Sequence, residues 1–366
     1  MKKVRLEDVC YSASSNISQK DVMMLNGQYS VYGASGLIKK INFYKYDREY
    51  IAIIKDGAGI GRVRILPANS SVISTMQYIF PKENINIRFL YYALKSMNLA
   101  KYYSGVTIPH IYYKDYKKEK LYLPNMNEQI YIVKKLDNIQ DSIDLRKKQI
   151  EELGKLVKSQ FVEMFDDVND NKNNYEIKSL NEIFEFIKDG THSTPTYTED
   201  NINGVKFLSA KDVTTGTINW ENIKYIPLEL HNQLVKRVKP QKDDILLAKN
   251  GTTGICAKVD TDEVFDIYVS LALLRPKKEY LVDYLVQAIN NDMTKEQFDR
   301  SLKGVGVPNL HLGEIQKVKI IVPPIELQNK FAEFVKQINK QKIEMQNSLK
   351  EMQKLQESLM KQYFGE

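Results

Sequence analysis

The sequence predicts a mixed α+β chain: two globular parts, each followed by a long helix, with the second half repeating the first. Three observations carry this. An internal repeat keeps its order, two segments without proline show heptad periodicity, and short apolar runs sit between Gly, Pro and Asn.

The repeat is read by sliding the chain on itself. At a shift of 199, Phe165 meets Phe364, Gln129 meets Gln328, Pro124 meets Pro323, Leu156 meets Leu355 and Ser159 meets Ser358. The same shift sets Gly105-Val106-Thr107-Ile108-Pro109-His110-Ile111 against Gly304-Val305-Gly306-Val307-Pro308-Asn309-Leu310. Upstream the shift falls to 195 (Pro81 on Pro276, Ala93 on Ala288), then to 194, where Lys55-Asp56-Gly57 meets Lys249-Asn250-Gly251. Small loop insertions produce such a drift. The first 50 or so residues of each half do not align, so the copies have diverged most there.

Within each copy, Tyr50–Ile54, Asp244–Ala248 and Val318–Val322 read as strands. Ile87–Ser96 and its counterpart Val282–Asn290 read as short helices. Pro124 and Pro323 stop the last strand of each copy, and a helix begins within a few residues. In the first long helix Leu136, Ile143, Ile150, Val157 and Met164 recur every seven residues. In the second, Phe331, Ile338, Met345, Met352 and Leu359 do the same. This is a coiled-coil spacing, and two helices of equal length in one chain are the nearest partners for each other. The alternative is that each helix packs on its own globular part. The boundaries are therefore 1–125 and 166–325 for the globular parts, with 126–165 and 326–366 for the helices.

Charge is placed unevenly along these segments. The net charge of +7 divides as +10 in 1–125, 0 in 126–165, −4 in 166–325 and +1 in 326–366. The first part is an electrostatic candidate for a polyanion partner. The second part needs a local patch to bind one. No run of 18 apolar residues occurs, so no membrane span is expected. The start has basic residues but no apolar run behind them and does not read as a signal peptide. Cys10 and Cys256 stand far apart without a CxxC partner, which excludes a disulfide framework and a Cys-rich zinc site. A soluble, reduced, cytoplasmic protein is expected.

Catalytic patterns are missing. His110, His192, His231 and His311 have no zinc-binding spacing, so no metal site is expected. The chain has no P-loop and no GxSxG elbow. It has no Asn-Pro-Pro-Tyr of the kind an adenine methyltransferase needs; Val322-Pro323-Pro324-Ile325 lacks the Asn and the aromatic. Glu176-Ile177-Lys178 fits only the tail of a nuclease pattern. Asp56-Gly57-Ala58-Gly59-Ile60-Gly61 looks like a nucleotide-binding turn, but the chemistry needs a helix directly after it. The next residues, Arg62-Val63-Arg64-Ile65-Leu66, alternate like a strand instead. A glycine hairpin is the better reading, with Arg62 and Arg64 on one face beside it. Lys249-Asn250-Gly251-Thr252-Thr253-Gly254 occupies the matching loop.

In these features the chain resembles the specificity (S) subunit of type I restriction–modification systems. The resemblance covers essentially the whole chain and rests first on the order of globular part, helix, globular part, helix. It rests also on Val31-Tyr32-Gly33-Ala34-Ser35-Gly36 and on Lys188-Asp189-Gly190-Thr191-His192-Ser193-Thr194-Pro195-Thr196-Tyr197, which are similar to segments of that family's target recognition domains. The strings at Pro124–Gln129 and Pro323–Gln328 are similar to its junctions into the helices, the second copy having Glu-Leu-Gln in place of Glu-Gln.

The resemblance implies a DNA reader without catalysis of its own. Each globular part reads one half of a split, asymmetric site in double-stranded DNA, and an antiparallel coiled coil sets the unread spacer. Two methyltransferase (M) subunits bring S-adenosylmethionine, and motor-nuclease (R) subunits use ATP and magnesium. No cofactor is expected on this chain. Candidate DNA contacts in the first part are Tyr32, Ser35, Lys39, Lys55, Arg62 and Arg64. In the second they are Lys188, Thr191, His192, Thr194, Tyr197, Lys211, Lys249, Asn250 and Thr252. Asp189 repels phosphate and is assigned to shaping the turn. Asn250 either reads adenine or occupies a left-handed turn position. Two other classes stay open: a coiled-coil scaffold without nucleic acid, and an enzyme using the Gly57–Gly61 turn for a nucleotide.

Overall fold

The computed structural model describes residues 2–105, 109–166, 168–213, 216–302 and 308–365. Parts of the aligned Gly-to-Pro block, 106–108 and 303–307, lie outside the described residues. The chain forms two compact units: unit 1 is Met1–Gln149 with Met345–Glu366, and unit 2 is Ile150–Glu344.

Unit 1 carries β1 (Lys2–Arg5), β2 (Cys10–Ser14), β3 (Tyr29–Gly33), β4 (Gly36–Ile41), β5 (Tyr50–Ile54), β6 (Val63–Leu66), β7 (Ser71–Val72), β8 (Met76–Pro81) and β9 (Lys120–Leu123). They make a pair, β1-β9, a four-stranded sheet, β2-β8-β5-β6, and a three-stranded sheet, β4-β3-β7. Unit 2 carries β10 (Glu176–Ser179), β11 (Phe184–Asp189), β12 (Val205–Leu208), β13 (Lys224–Ile226), β14 (Ile245–Ala248), β15 (Cys256–Lys258), β16 (Phe265–Ile267), β17 (Leu271–Pro276) and β18 (Lys319–Val322). Its sheets are β10-β18, β11-β17-β14-β15 and β13-β12-β16, the same three topologies. Even the parallel contact recurs, β3 with β7 and β12 with β16. The repeat thus extends into the N-terminal regions where the sequences do not align. A strand needs alternation and packing partners rather than particular residues, so topology outlasts identity.

The central strands explain the apolar runs. In β5 every residue is buried. Ile51 and Ile53 join one core cluster, while Tyr50, Ala52 and Ile54 join another. In β14, Ile245 and Leu247 face one cluster, and Leu246 and Ala248 the other. A strand covered on both faces reads as a continuous apolar run rather than an alternating one.

The long helices run Met126–Phe165 and Ile325–Phe364, 40 residues each. That length gives roughly 60 Å. In unit 1, Ile132, Val133 and Leu136 lie in the core, packed with Leu359, Met360, Tyr363 and Phe364. One step further on, Gln356 Nε2 donates to Gln140 Oε1 at 2.9 Å. Advancing along one helix means retreating along the other, so they run antiparallel. In unit 2, Phe161 and Phe165 stack edge-on against Phe331, with ring centroids 5.5 and 5.3 Å apart. All ten heptad residues are buried or half-buried. The two readings of the helices are both realised: each end pairs with the other helix and packs on a sheet at once. In unit 2, Tyr284 joins that ring cluster and its hydroxyl donates to the Ile321 carbonyl at 2.8 Å.

A buried glutamine fixes each helix start. Gln129 Oε1 accepts from the Asn86 amide at 2.8 Å, and its Nε2 donates to the carbonyls of Asn84 and Pro124. Gln328 Oε1 accepts from the Leu281 amide, and its Nε2 donates to the Pro323 carbonyl at 2.8 Å. A buried amide must satisfy both ends, and here it does so by gluing helix to strand end. This gives the Pro-to-Gln string its physical content.

Candidate nucleic-acid interface

The glycine segments are hairpins, not helix starts. Asp56–Arg62 joins β5 to β6, which pair antiparallel. Gly57 and Gly61 sit at φ +90° and +79°, a region that only glycine adopts without cost. A strand rather than a helix follows the turn, so the helix that a nucleotide-binding turn needs directly after it is replaced by β6. The matching loop joins β14 to β15, with Gly251 and Gly254 at φ +75° and +80°. Both loops are tied down alike. The Ile111 amide donates to the Lys55 carbonyl at 2.9 Å, and the Leu310 amide to the Lys249 carbonyl at 2.8 Å. Asp56 bridges His110, and Asn250 bridges Asn309.

The unit 1 candidates cluster unevenly. Arg64 Nη2 donates to the Ala34 carbonyl at 2.9 Å, so it braces the β3–β4 turn that carries Ser35. Ser35 is exposed at that turn. Arg62 is exposed and folds over Gly59, where an added Cβ would stand 2.6 Å from its guanidinium. Lys55 is half-buried with its ammonium 3.9 Å from Asp56. Lys39 donates to the Met23 carbonyl at 2.8 Å. Tyr32 is half-buried and packs on the cluster around Tyr50 and Tyr78. Asp56 also meets His110, with Oδ1 2.7 Å from Nδ1.

In unit 2, Lys249 is not a surface cation. It is 5 % exposed, and its ammonium donates to Asp189 Oδ2 at 2.9 Å. This corrects its assignment as a DNA contact. The loop turns the side chain inward because Asp189, itself 4 % exposed, needs a buried counter-charge. Asp189 serves as a hub. Arg237 Nη2 donates to its Oδ1 at 2.6 Å, and His192 Nε2 lies 3.1 Å from Oδ2. Burial works against its ionised form, but Lys249 and then His192 outweigh burial and hold the carboxyl below its usual range. Asp189 therefore shapes the turn through two cations, Lys249 and Arg237, and the His192 ring beside them.

The remaining candidates line the surface. His192, Thr194 and Thr252 are exposed. Thr191 is pinned, its amide donating to the Ile267 carbonyl at 3.1 Å. Lys188 is exposed over the Phe186 ring. Tyr197 is exposed, edge-on to Phe207, with Lys224 4.0 Å above its ring. Lys211 is exposed, 3.9 Å from Asp212. Asn250 does not adopt a left-handed backbone, which removes the turn-position alternative.

Sequence reasoning passed over Arg237 and Asp266. Asp266 is buried beneath His231, Oδ2 2.6 Å from Nδ1, and burial raises its carboxyl pKa despite that partner. The basic run Lys236-Arg237-Val238-Lys239 was the available signal. Cys10 and Cys256 are free and buried. Burial pushes the Cys10 thiol up to about 11, which suits a core residue and not a nucleophile. Among the described residues no group of His, Cys, Asp or Glu could hold a metal ion, and no helix is long and apolar enough to cross a membrane.

Comparison with known proteins agrees with this arrangement. The chain matches the family described as "Type I restriction modification DNA specificity domain" over residues 1–155 and 172–355. It is 27 % identical to the type I restriction enzyme MjaVIII specificity subunit of Methanocaldococcus jannaschii, over 79 % of this chain and 72 % of that one. It is 23 % identical to the MjaIX specificity subunit of the same organism, over 86 % and 77 %. Its fold is similar to the crystal structure of the type I restriction–modification S subunit from M. genitalium (TM-score 0.60, 19 % identity, covering 100 % and 96 %). It is also similar to a chain from a study of assembly and conformational transition of the type I system (TM-score 0.57, 16 % identity, covering 99 % and 97 %). The duplicated sheets on paired long helices and the twofold family match lead to one conclusion: this chain belongs to the type I restriction–modification DNA specificity family.

Proposed function

We propose that the chain is the DNA-reading subunit of a type I restriction–modification enzyme. Each unit reads one half of a split site in double-stranded DNA. The observation that carries this is the duplication of one topology, each copy clamped to a long helix by a buried glutamine. Two copies of a reader bind two separated half-sites, and different surface loops allow the halves to differ.

On this reading the antiparallel helices fix the spacer and hold two methyltransferase subunits, which motor-nuclease subunits join. S-adenosylmethionine, ATP and magnesium belong to those partners. The chain has no catalytic role and works in the cytoplasm, where the DNA is. The unit 1 contacts are Ser35, Lys39, Lys55, Arg62 and Tyr32, with Arg64 bracing them. The unit 2 contacts are Lys188, Thr191, His192, Thr194, Tyr197, Lys211, Asn250 and Thr252.

Modified-base sequencing of DNA from cells with and without this chain, in the presence of its methyltransferase partner, tests the reading. The expected result is new methyladenine in a two-part motif with a constant gap. Co-purification with the methyltransferase but no added methylation overturns it in favour of a scaffold.

A further inference from the structure

Unit 2 poses an electrostatic problem that its loops do not obviously solve. Residues 166–325 carry −4, yet this unit needs a local positive surface if it reads DNA. Its sequence holds three arginines: Arg237, Arg275 and Arg300. Arg275 is spent, donating from Nε and Nη2 to both oxygens of Asp244 at 2.8 Å and also to the Lys239 carbonyl. Arg300 pairs with Glu296 one turn back on its own helix.

Arg237 differs. One Nη donates to Asp189, whose negative charge is already met by the buried ammonium of Lys249. The charge of Arg237 is therefore surplus to the hub. Its side chain remains 55 % exposed, so its other edge faces solvent. A guanidinium held by one edge presents the other in a fixed direction and loses little freedom on binding.

The walls around it are built to the same end. Arg237 and His192 line one open pocket with Thr191, Ser193 and Gln233. One wall, Gly190–Ser193, lies so close on the end of β16 that a Cβ at Gly190 would stand 2.0 Å from the Ile267 carbonyl oxygen. The other wall is built on the short helix Leu228–Leu234, which His231 pins to buried Asp266. The Asp189 hub ties the two walls together.

We infer that Arg237 is a base-reading residue of the second half-site, aimed by Asp189 at the guanine edge of a base pair in the major groove. This rests on the DNA-reading role proposed above. Guanine presents two acceptors, O6 and N7, that match a guanidinium edge. Asp189 is a positioning residue and does not touch DNA.

The test uses the full chain with its methyltransferase partner. The methylated motif of the wild type is compared with those of Arg237→Ala and Arg237→Lys. Wild-type cells should show a two-part motif; its absence overturns the DNA-reading role, and the inference with it. Given the motif, both variants should lose preference for a guanine in one half by roughly 5- to 150-fold, the range of a bidentate contact. The other half should be read unchanged. Lysine keeps the charge but not the fork, so a loss of methylation that is even across sequences in Arg237→Ala, and restored in Arg237→Lys, reduces Arg237 to a phosphate contact and overturns the inference. So does an unchanged motif in both variants.

Discussion

Lys249 Nζ donates to Asp189 Oδ2 at 2.9 Å, and both side chains are buried. The end of β11 and the start of the β14–β15 loop, distant in sequence, are thereby locked under the surface that carries His192 and Arg237. Breaking such a pair from one side strands a charge, at about 3–5 kcal/mol. Asp189→Asn should lower the stability of unit 2 by that order. The dependence on pH comes from the lowered carboxyl pKa. A depressed folded pKa stabilises above the unfolded value, 3.8, and the effect is lost as pH falls through the folded value. Denaturant unfolding should show a constant gap between wild type and variant from about pH 5 to 7, closing below 3.8.

Gly190→Ala should disturb the same region by sterics alone. The added methyl meets the Ile267 backbone at 2.0 to 2.4 Å, which cannot give way as a side chain can. A cost of about 1–3 kcal/mol is expected. Gly57→Ala has nothing within 4 Å to meet, and should cost only the left-handed backbone strain, about 1–2 kcal/mol. Thermal melts of the two variants compare a clash with a pure conformational penalty.

Arg62 and Arg64 should behave differently. Arg62→Ala removes an exposed cation, and Arg64→Ala removes a brace under the Ala34-Ser35 turn. We expect Arg64→Ala to change which bases the first half-site accepts. Arg62→Ala should weaken binding evenly across sequences and reduce the salt slope by about one. DNA titrations at several salt concentrations separate these results, and no change for either variant removes both from the interface.

Phe331→Ala should destabilise unit 2 by about 3–5 kcal/mol, since a fully buried ring shared by Phe161 and Phe165 leaves a cavity. Gln129→Ala strands the Asn86 amide and two carbonyls in unit 1, at about 1–3 kcal/mol. Chemical denaturation of each variant checks the values.

The elements that the sequence discloses are those whose pattern is local. Tyr50–Ile54 and Ile87–Ser96 are a strand and a helix with those bounds because burial on two faces, or on one helical stripe, writes itself into neighbouring residues. The heptad of Leu136 and Phe331 is legible for the same reason. The shared topology of β3-β4 and β12-β13 is not legible, because pairing constrains alternation and leaves residue identity free. The inward turn of Lys249 is also hidden. It depends on Asp189, 60 residues away, and a surface lysine and a buried one look alike in sequence. Arg237 escaped notice because its anchor is that same distant carboxylate.

The two units differ in how the chain supplies them. Unit 2 is one contiguous stretch, whereas unit 1 closes only when Met345–Glu366 returns to cover Ile132, Val133 and Leu136. During synthesis the later unit can therefore finish first, while the earlier one waits with an apolar seam uncovered. A ribosome that stalls before residue 345 leaves that seam open. Such a seam invites aggregation and proteolysis. The order of assembly thus runs against the order of the sequence, and only a chain translated through Phe364 covers that seam.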